Sequence, residues 1–399
     1  MKQYDTVVVG GSAAGLHAAR RLAQGGARVL VLERNQTFGT PTRTLIVTPE
    51  LERFLAPLPG AAVLERIGRI EMISPGARAV VNLGRPDYVV DRGKINTALA
   101  ERAEQEGVEI LHAANLVSLA FDPDGARLRA EISGSREVEV RSPTILGADG
   151  VRSLVARAMR VGPPATAPIL QAVVRFPGGS LEGRAQVWFD PAVTRYLLWL
   201  VPHSDGTGVV GLVGARGSSV RRILDDFLKR AGYSPLCYQG AVIPLHTPRR
   251  RLETCWAGGR ALLVGDAAGH VKVTTFGGLV SGLWGAEAAA ESILRGTPYG
   301  RALRPLNREL YFHDALRWVL NRFTSRDYDV LLGSLGPRAR SWLEEHNRDM
   351  TSAAPLGLLS AQPGLIFLAA QAMIRAARRN GSEMRASPSQ PGEALHSWD

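Results

Sequence analysis

Glycines at 10, 11 and 15, with Ser12, Ala13 and Ala14 between them, directly follow the β-branched run Asp5-Thr-Val-Val-Val9. A chain that turns sharply after a strand, presses its backbone against a pyrophosphate and packs a helix back onto that strand needs small residues at these points. The N-terminus of that helix then offers unpaired N–H groups to the phosphates. Ser12 stands where such a fingerprint usually has its middle glycine. Glu33, closing the next apolar run and followed by Arg34, has the spacing at which an acid meets the adenosine ribose. Two later motifs also end apolar runs: Gly147-Ala148-Asp149-Gly150, and Gly265-Asp266-Ala267-Ala268-Gly269-His270-Val271-Lys272 with Phe276-Gly277-Gly278-Leu279 beyond it. An acid at a strand end accepts hydrogen bonds from ribitol hydroxyls, and glycines let the chain pass close to a flat ring. A helix starting near Gly278 aims its positive end where ring reduction places negative charge. The first motif alone does not separate NAD from FAD; all three in this order point to FAD.

Other side chains have two readings each. Lys272 is one of four lysines in an Arg-dominated chain and lies inside the third motif. It is either a charge set near a reduced flavin or an anionic head group, or a solvated loop residue. His270 is either a proton donor or a histidine satisfied by the backbone. Tyr196 and Trp199 either line an apolar tunnel, with Tyr196 delivering a proton, or serve ordinary sheet packing. Arg92 is either a cofactor contact or a surface ion-pair partner. The histidines are scattered, with no His-x-x-x-His and no Cys–His cluster, so no metal set is visible. No Gly-x-Ser-x-Gly elbow occurs. The chemistry then falls to the cofactor.

The elements that must position these residues are legible. Strands are expected at 5–10, 27–33, 108–111, 144–146 and 260–264, and helices at 13–23, 91–107 and 278–294. Alternating strands are expected at 117–121, 127–132 and 137–141. From 165 to 248 the texture becomes antiparallel, with strands at 170–176, 185–189, 196–201 and 207–213 and a helix at 219–231. The fold class is α/β: a three-layer Rossmann-type FAD-binding domain with an inserted antiparallel-sheet substrate domain and a C-terminal helical region. The FAD domain is assigned to 1–45, 90–160 and 255–300, the substrate sheet to 46–89 and 161–254, the helical region to 301–379, and a disordered tail to 380–399.

The 399 residues carry a formal charge of +11, almost all of the positive charge on Arg. Such a bias is of the kind a GC-rich genome produces. No Arg-aromatic interleaving or helix-turn-helix pattern accompanies it, so nucleic acid is not an expected partner. Cys237 and Cys255 form no framework, in keeping with a reducing cytoplasm. The chain enters its first strand after Gln3, which leaves no room for a signal peptide. No run of about 20 apolar residues is present for a spanning helix. The segment 355–377, apolar and then Arg-rich, has two readings: a helix lying on a bilayer, or one packed on the core or a second copy.

The ordered motifs, with Asp91-Arg92, resemble the FAD superfamily of aromatic hydroxylases, flavin halogenases and geranylgeranyl reductases over roughly residues 1–300. Four segments most resemble the geranylgeranyl reductase family. These are the run Gly265–Gly278 with its Lys-x-Thr-Thr portion, Tyr196-Leu-Leu-Trp199-Leu-Val-Pro202, Ala241–Pro244, and Pro41-Thr-Arg43. Three residues depart from the family pattern. Thr44 stands where relatives often have Cys, Phe276 where they have the first glycine of a triplet, and His203 where Lys often follows Pro. A ring at 276 is expected to narrow the space near the flavin. The resemblance implies FAD held by the residues named above together with Arg43, Gly277, Gly278 and Leu279, and a catalytic group drawn from Tyr196, Trp199, His270 and Lys272. It further implies an isoprenoid or other apolar substrate, electrons from NAD(P)H or a reduced ferredoxin-like protein, and a cytoplasmic protein that either touches the membrane peripherally or does not. The leading reading is saturation of prenyl-chain double bonds on a lipid or quinone-like carrier. The alternatives are an FAD monooxygenase of an aromatic or apolar substrate, a quinone-interacting electron-transfer flavoprotein, and a non-enzymatic binding module.

Overall fold

A computed structural model describes residues 2–39, 42–176, 181, 183–349, 357 and 360–386. Its centre is a six-stranded sheet in the order Glu253–Trp256, Gly259–Leu263, Thr144–Gly147, Thr6–Val9, Val29–Leu32 and Glu109–Leu111. All neighbours are parallel except the first pair. The inner strands are short β-branched and Leu runs that are buried on both faces, as parallel strands must be. One face is covered by the helices Ala13–Gln24, Arg92–Gln105 and Leu279–Arg295. The other is covered by an antiparallel sheet of Ala114–Asp122, Gly125–Ile132 and Arg136–Ser142, to whose edge the short strand Lys2–Gln3 adds in parallel, completing three layers.

A separate eight-stranded sheet joins Pro235–Pro244, Thr166–Arg175, Thr207–Val213, Leu198–Pro202, Arg184–Trp188, Val63–Ile73, Arg78–Asp91 and Thr44–Val47. It is antiparallel except where Arg184–Trp188 runs parallel to Val63–Ile73. Arg78–Asp91 ends at Asp91, whose carboxylate accepts from the N–H groups of Gly93 and Lys94 and starts the helix Arg92–Gln105. One continuous stretch of chain thereby ties the large sheet to the parallel-sheet layer.

The C-terminal helices include Arg304–Leu320, Ser325–Gly333, Pro337–Glu345 and Gly364–Ala386. The last of these buries Leu368 and Ala372 against Phe323 and Tyr328. Its final turns pass beyond residue 379, where the sequence reading begins a disordered tail. Good helix formers at 383–386 carry it on. The remaining 387–399 lie outside the described residues, as do Pro41 and several leucines of the apolar segment, Leu356 among them.

Candidate functional site

At the turn after Thr6–Val9, Gly10 adopts φ +103°, and a Cβ there would come within 2.5 Å of the Ala148 carbonyl oxygen. Only glycine is accommodated without strain. Ser12 explains its own presence: it caps Ala13–Gln24, its Oγ accepting from Gly15 N–H at 3.2 Å. Ala13 and Ala14 open the helix, and Ala14 faces Gly265 and Gly282, where small residues let the first and third motifs approach. Glu33 is buried; one oxygen accepts from Gly11 N–H at 2.7 Å and the other from Asn35 N–H at 2.8 Å. Arg34 is exposed beside it.

Arg43, Arg92 and Asp266 converge from three distant segments. Asp266 follows Gly265, which holds φ +59°, at the end of Gly259–Leu263. Its side chain is open to water yet surrounded by protein, as a group at the floor of a cleft must be. The surrounding protein raises the Asp266 carboxyl, while Arg92 and Arg43 pull it down. Arg43 is pressed below its usual value by burial and by Arg92, and it donates to the Gly240 carbonyl at 2.9 Å. Gly278 caps Leu279–Arg295, and a Cβ on it would sit 3.4 Å from Asp266 Oδ1. Gly277, Gly278 and Leu279 therefore bring a helix N-terminus against this acid and its two arginines.

FAD fits these residues. An accessible carboxylate between two arginines, a glycine turn without room for side chains and an N-capped helix start are the donors and spaces that ribityl, pyrophosphate and adenosine groups require. Glu33, Arg43, Arg92 and Asp266 would hold it.

The side chains of two predicted residues at the cradle are engaged by the protein itself. Asp149 Oδ2 caps the helix Leu154–Ala158, accepting from Leu154 N–H at 2.7 Å, and Oδ1 is buried without a partner among the described residues. Burial raises this carboxyl against the hydrogen bonds it receives. His270 is 1% exposed, its ring wedged against Gly285 of Leu279–Arg295. Burial, with His246 nearby, lowers it to about 3, so at neutral pH the ring holds no extra proton to donate. Its surroundings are those of a packing residue.

Lys272 is no solvated loop lysine. It is 5% exposed and paired with Asp349, which also accepts from Thr48 Oγ. Two neighbouring loop residues are gripped from the helix Arg304–Leu320. Arg317 donates to the carbonyls of Val273 at 2.9 Å and Thr274 at 2.8 Å, and His313 contacts Thr274 Oγ. Asp349, Arg317 and His313 were absent from the sequence reading. Glu309, His313 and Arg317 did leave a trace, as polar residues four apart on one buried helix face. Nothing in the sequence marks Asp349.

Tyr196 precedes its strand rather than lying in it. The strand starts at Leu198, after a bend held by Thr194 Oγ donating to the Val213 carbonyl. Residues three apart in one strand would face opposite sides. The bend instead lets half-buried Tyr196 and Trp199 join one apolar cluster with buried Leu197, Val213 and Phe276. The Tyr196 and Phe276 rings meet edge to face at 5.0 Å. This wall joins the large sheet to the loop that carries Lys272 and Gly277.

The family model described as FAD binding domain matches residues 3–175. Digeranylgeranylglycerophospholipid reductase 2 of Methanothermobacter thermautotrophicus is 29% identical over 393 residues, covering 90% of this chain and 95% of that protein. Chloroplastic geranylgeranyl diphosphate reductase of Arabidopsis thaliana is 28% identical over 336 residues, covering 76% and 68%. Among solved structures, a geranylgeranyl bacteriochlorophyll reductase-like protein from Thermoplasma acidophilum superposes with a TM-score of 0.73 at 17% identity, covering 90% of this chain and 96% of that one. The flavin-dependent brominase Bmp2 superposes at 0.68 with 16% identity, covering 95% and 100%. Fold, cradle and relatives define an FAD-dependent oxidoreductase. Within that class the chain is similar to geranylgeranyl reductases, the resemblance its motifs carry.

Proposed function

We propose that this protein saturates double bonds of a prenyl chain of the geranylgeranyl type, carried on a lipid or quinone-like group. The observation that carries this reading is the half-buried apolar wall of Tyr196 and Trp199, set against the flavin-cradle loop at Phe276. The names of the relatives, which act on geranylgeranyl compounds, support it. Bound FAD supplies, when reduced, the hydride that an alkene must receive. The chain's own residues do the rest. Arg43, Arg92, Asp266 and the helix start at Gly278 orient the cofactor. The wall holds an isoprene unit beside it and keeps water out. Tyr196 is the hydroxyl on that wall and is our candidate to give the proton, since the buried His270 is neutral.

Electrons would come from NAD(P)H or a ferredoxin-like protein. A lipid substrate also favours peripheral membrane contact. The outward side of Gly364–Ala386 leaves Ile366, Phe367 and Ile374 more than half exposed, and no helix among the described residues is long and apolar enough to cross a bilayer. Sedimentation with anionic vesicles tests this contact, and its absence at low salt removes it.

The function is tested by anaerobic incubation of the dithionite-reduced holoprotein with a geranylgeranyl lipid, followed by mass spectrometry. Mass gains in steps of two hydrogens, absent in Asp266→Ala, are expected. No gain from protein that carries FAD and reduces normally would overturn the reading. Oxygen uptake with an aromatic compound would then favour a monooxygenase.

A further inference from the structure

The geometry points to Phe276 as a specificity-determining residue, a stop that limits how far an isoprenoid chain advances past the flavin cradle. This rests on the prenyl reading above. Phe276 holds φ +56°, a backbone conformation that L side chains rarely adopt and that glycine takes freely. A bulky ring kept in such a place is unexpected unless the ring itself is used.

The loop leaves the ring little choice of direction. Phe276 N–H donates to the Lys272 carbonyl at 2.7 Å, and Lys272 N–H donates to the Gly277 carbonyl at 3.2 Å. The closed turn throws the side chain toward the large sheet, into the cluster with Ala167, Leu197 and Val213. There Tyr196 meets it edge to face. The Arg317 guanidinium lies 5.6 Å from its ring centre and 5.5 Å from that of Tyr196. Arg317 is itself buried and anchored to the carbonyls of Val273 and Thr274. Sheet, tyrosine and guanidinium therefore fix the ring between the apolar wall and the cofactor loop. Glycine here would leave that volume open to a longer chain.

The test measures binding of glycerolipids carrying geranyl, farnesyl or geranylgeranyl chains to oxidised holoprotein, read as perturbation of the flavin absorption band. Phe276→Gly should shift the ratio of geranylgeranyl to geranyl affinity by about tenfold toward the longer chain. Phe276→Leu, which retains bulk, should keep the wild-type ratio, and thermal melts identify any variant that fails to fold. An unshifted ratio in a folded Phe276→Gly holoprotein overturns this assignment alone. Wild-type holoprotein that binds none of the three overturns the prenyl reading and this assignment with it.

Discussion

The ammonium of Lys272 and the carboxylate of Asp349 form an ion pair sealed inside the protein, their side chains 6% and 4% exposed. The two residues are 77 positions apart. The pair fastens the segment after Pro337–Glu345 to the loop that presents Gly277 and Gly278, and Thr48 Oγ joins from just beyond the strand Thr44–Val47.

Removing one partner of a buried pair strands the other charge, at a cost of about 3–5 kcal/mol. Asp349→Ala should therefore lower Tm by roughly 4–6 °C in a chain of this length. Burial alone would raise the Asp349 carboxyl, but Lys272, Thr48 and Arg348 outweigh it and hold it below the ordinary range. A depressed folded-state value means the stabilisation is present above the unfolded value of about 3.9 and is lost as pH falls through the folded one. Acid unfolding of wild type and Asp349→Asn should converge at low pH; a difference that stays constant with pH would show that ionisation of Asp349 contributes nothing.

His270 acts in a different window. Its folded-state value of about 3 lies below the ordinary one, so the unfolded chain binds the extra proton first on acidification. Stability due to a neutral His270 is complete above about 6.5 and falls by up to about 1.4 kcal/mol per pH unit below it. His270→Leu should flatten that slope in chemical denaturation between pH 4 and pH 6, both roughly inside this window. An unchanged slope would show that the ring takes up its proton without cost.

Cofactor retention should depend on the first motif. In Gly15→Ala the new methyl collides with the Gly10 carbonyl oxygen and crowds Ala148, so strand and helix can no longer close on each other. Glu33→Ala removes the acceptor for Gly11 N–H and the candidate ribose ligand. We expect FAD affinity to fall about a hundredfold in either variant, measured by flavin fluorescence on reconstitution. Full flavin occupancy of Glu33→Ala at micromolar protein would remove Glu33 from the site.

Thr44 and His203, two of the three departures from the family pattern, touch: Thr44 Oγ lies 3.2 Å from His203 Nε2. His203 Nδ1 meets Thr207 Oγ at 3.0 Å, and Thr207 in turn donates to Asp205. Burial lowers the His203 imidazole. A double-mutant cycle of Thr44→Val and His203→Ala should show a coupling of about 1 kcal/mol in stability. Strict additivity would mean the two replacements are independent.

Local chemistry made much of this protein legible without coordinates. Apolar runs ending in Gly10, Gly147 and Gly265 state that strands stop there at tight turns, because backbone approach and positive φ at Gly10 and Gly265 leave only glycine comfortable. Cofactor type, layer order and the positions of Glu33 and Asp266 follow from such short-range constraints. Side-chain commitments do not. Asp149 reads as a cofactor acid, and the structure adds that its Oδ2 accepts from the first N–H groups of Leu154–Ala158. His270 reads as a donor, yet the fold encloses it. The partners of Lys272, Thr274 and Phe276 come from Asp349, His313, Arg317 and Tyr196, brought close only when the C-terminal helices and the large sheet close on one loop. Burial and pairing are properties of that closure: no periodicity encodes a contact between segments tens of residues apart, and the same lysine is a solvated charge or a sealed one according to what packs over it.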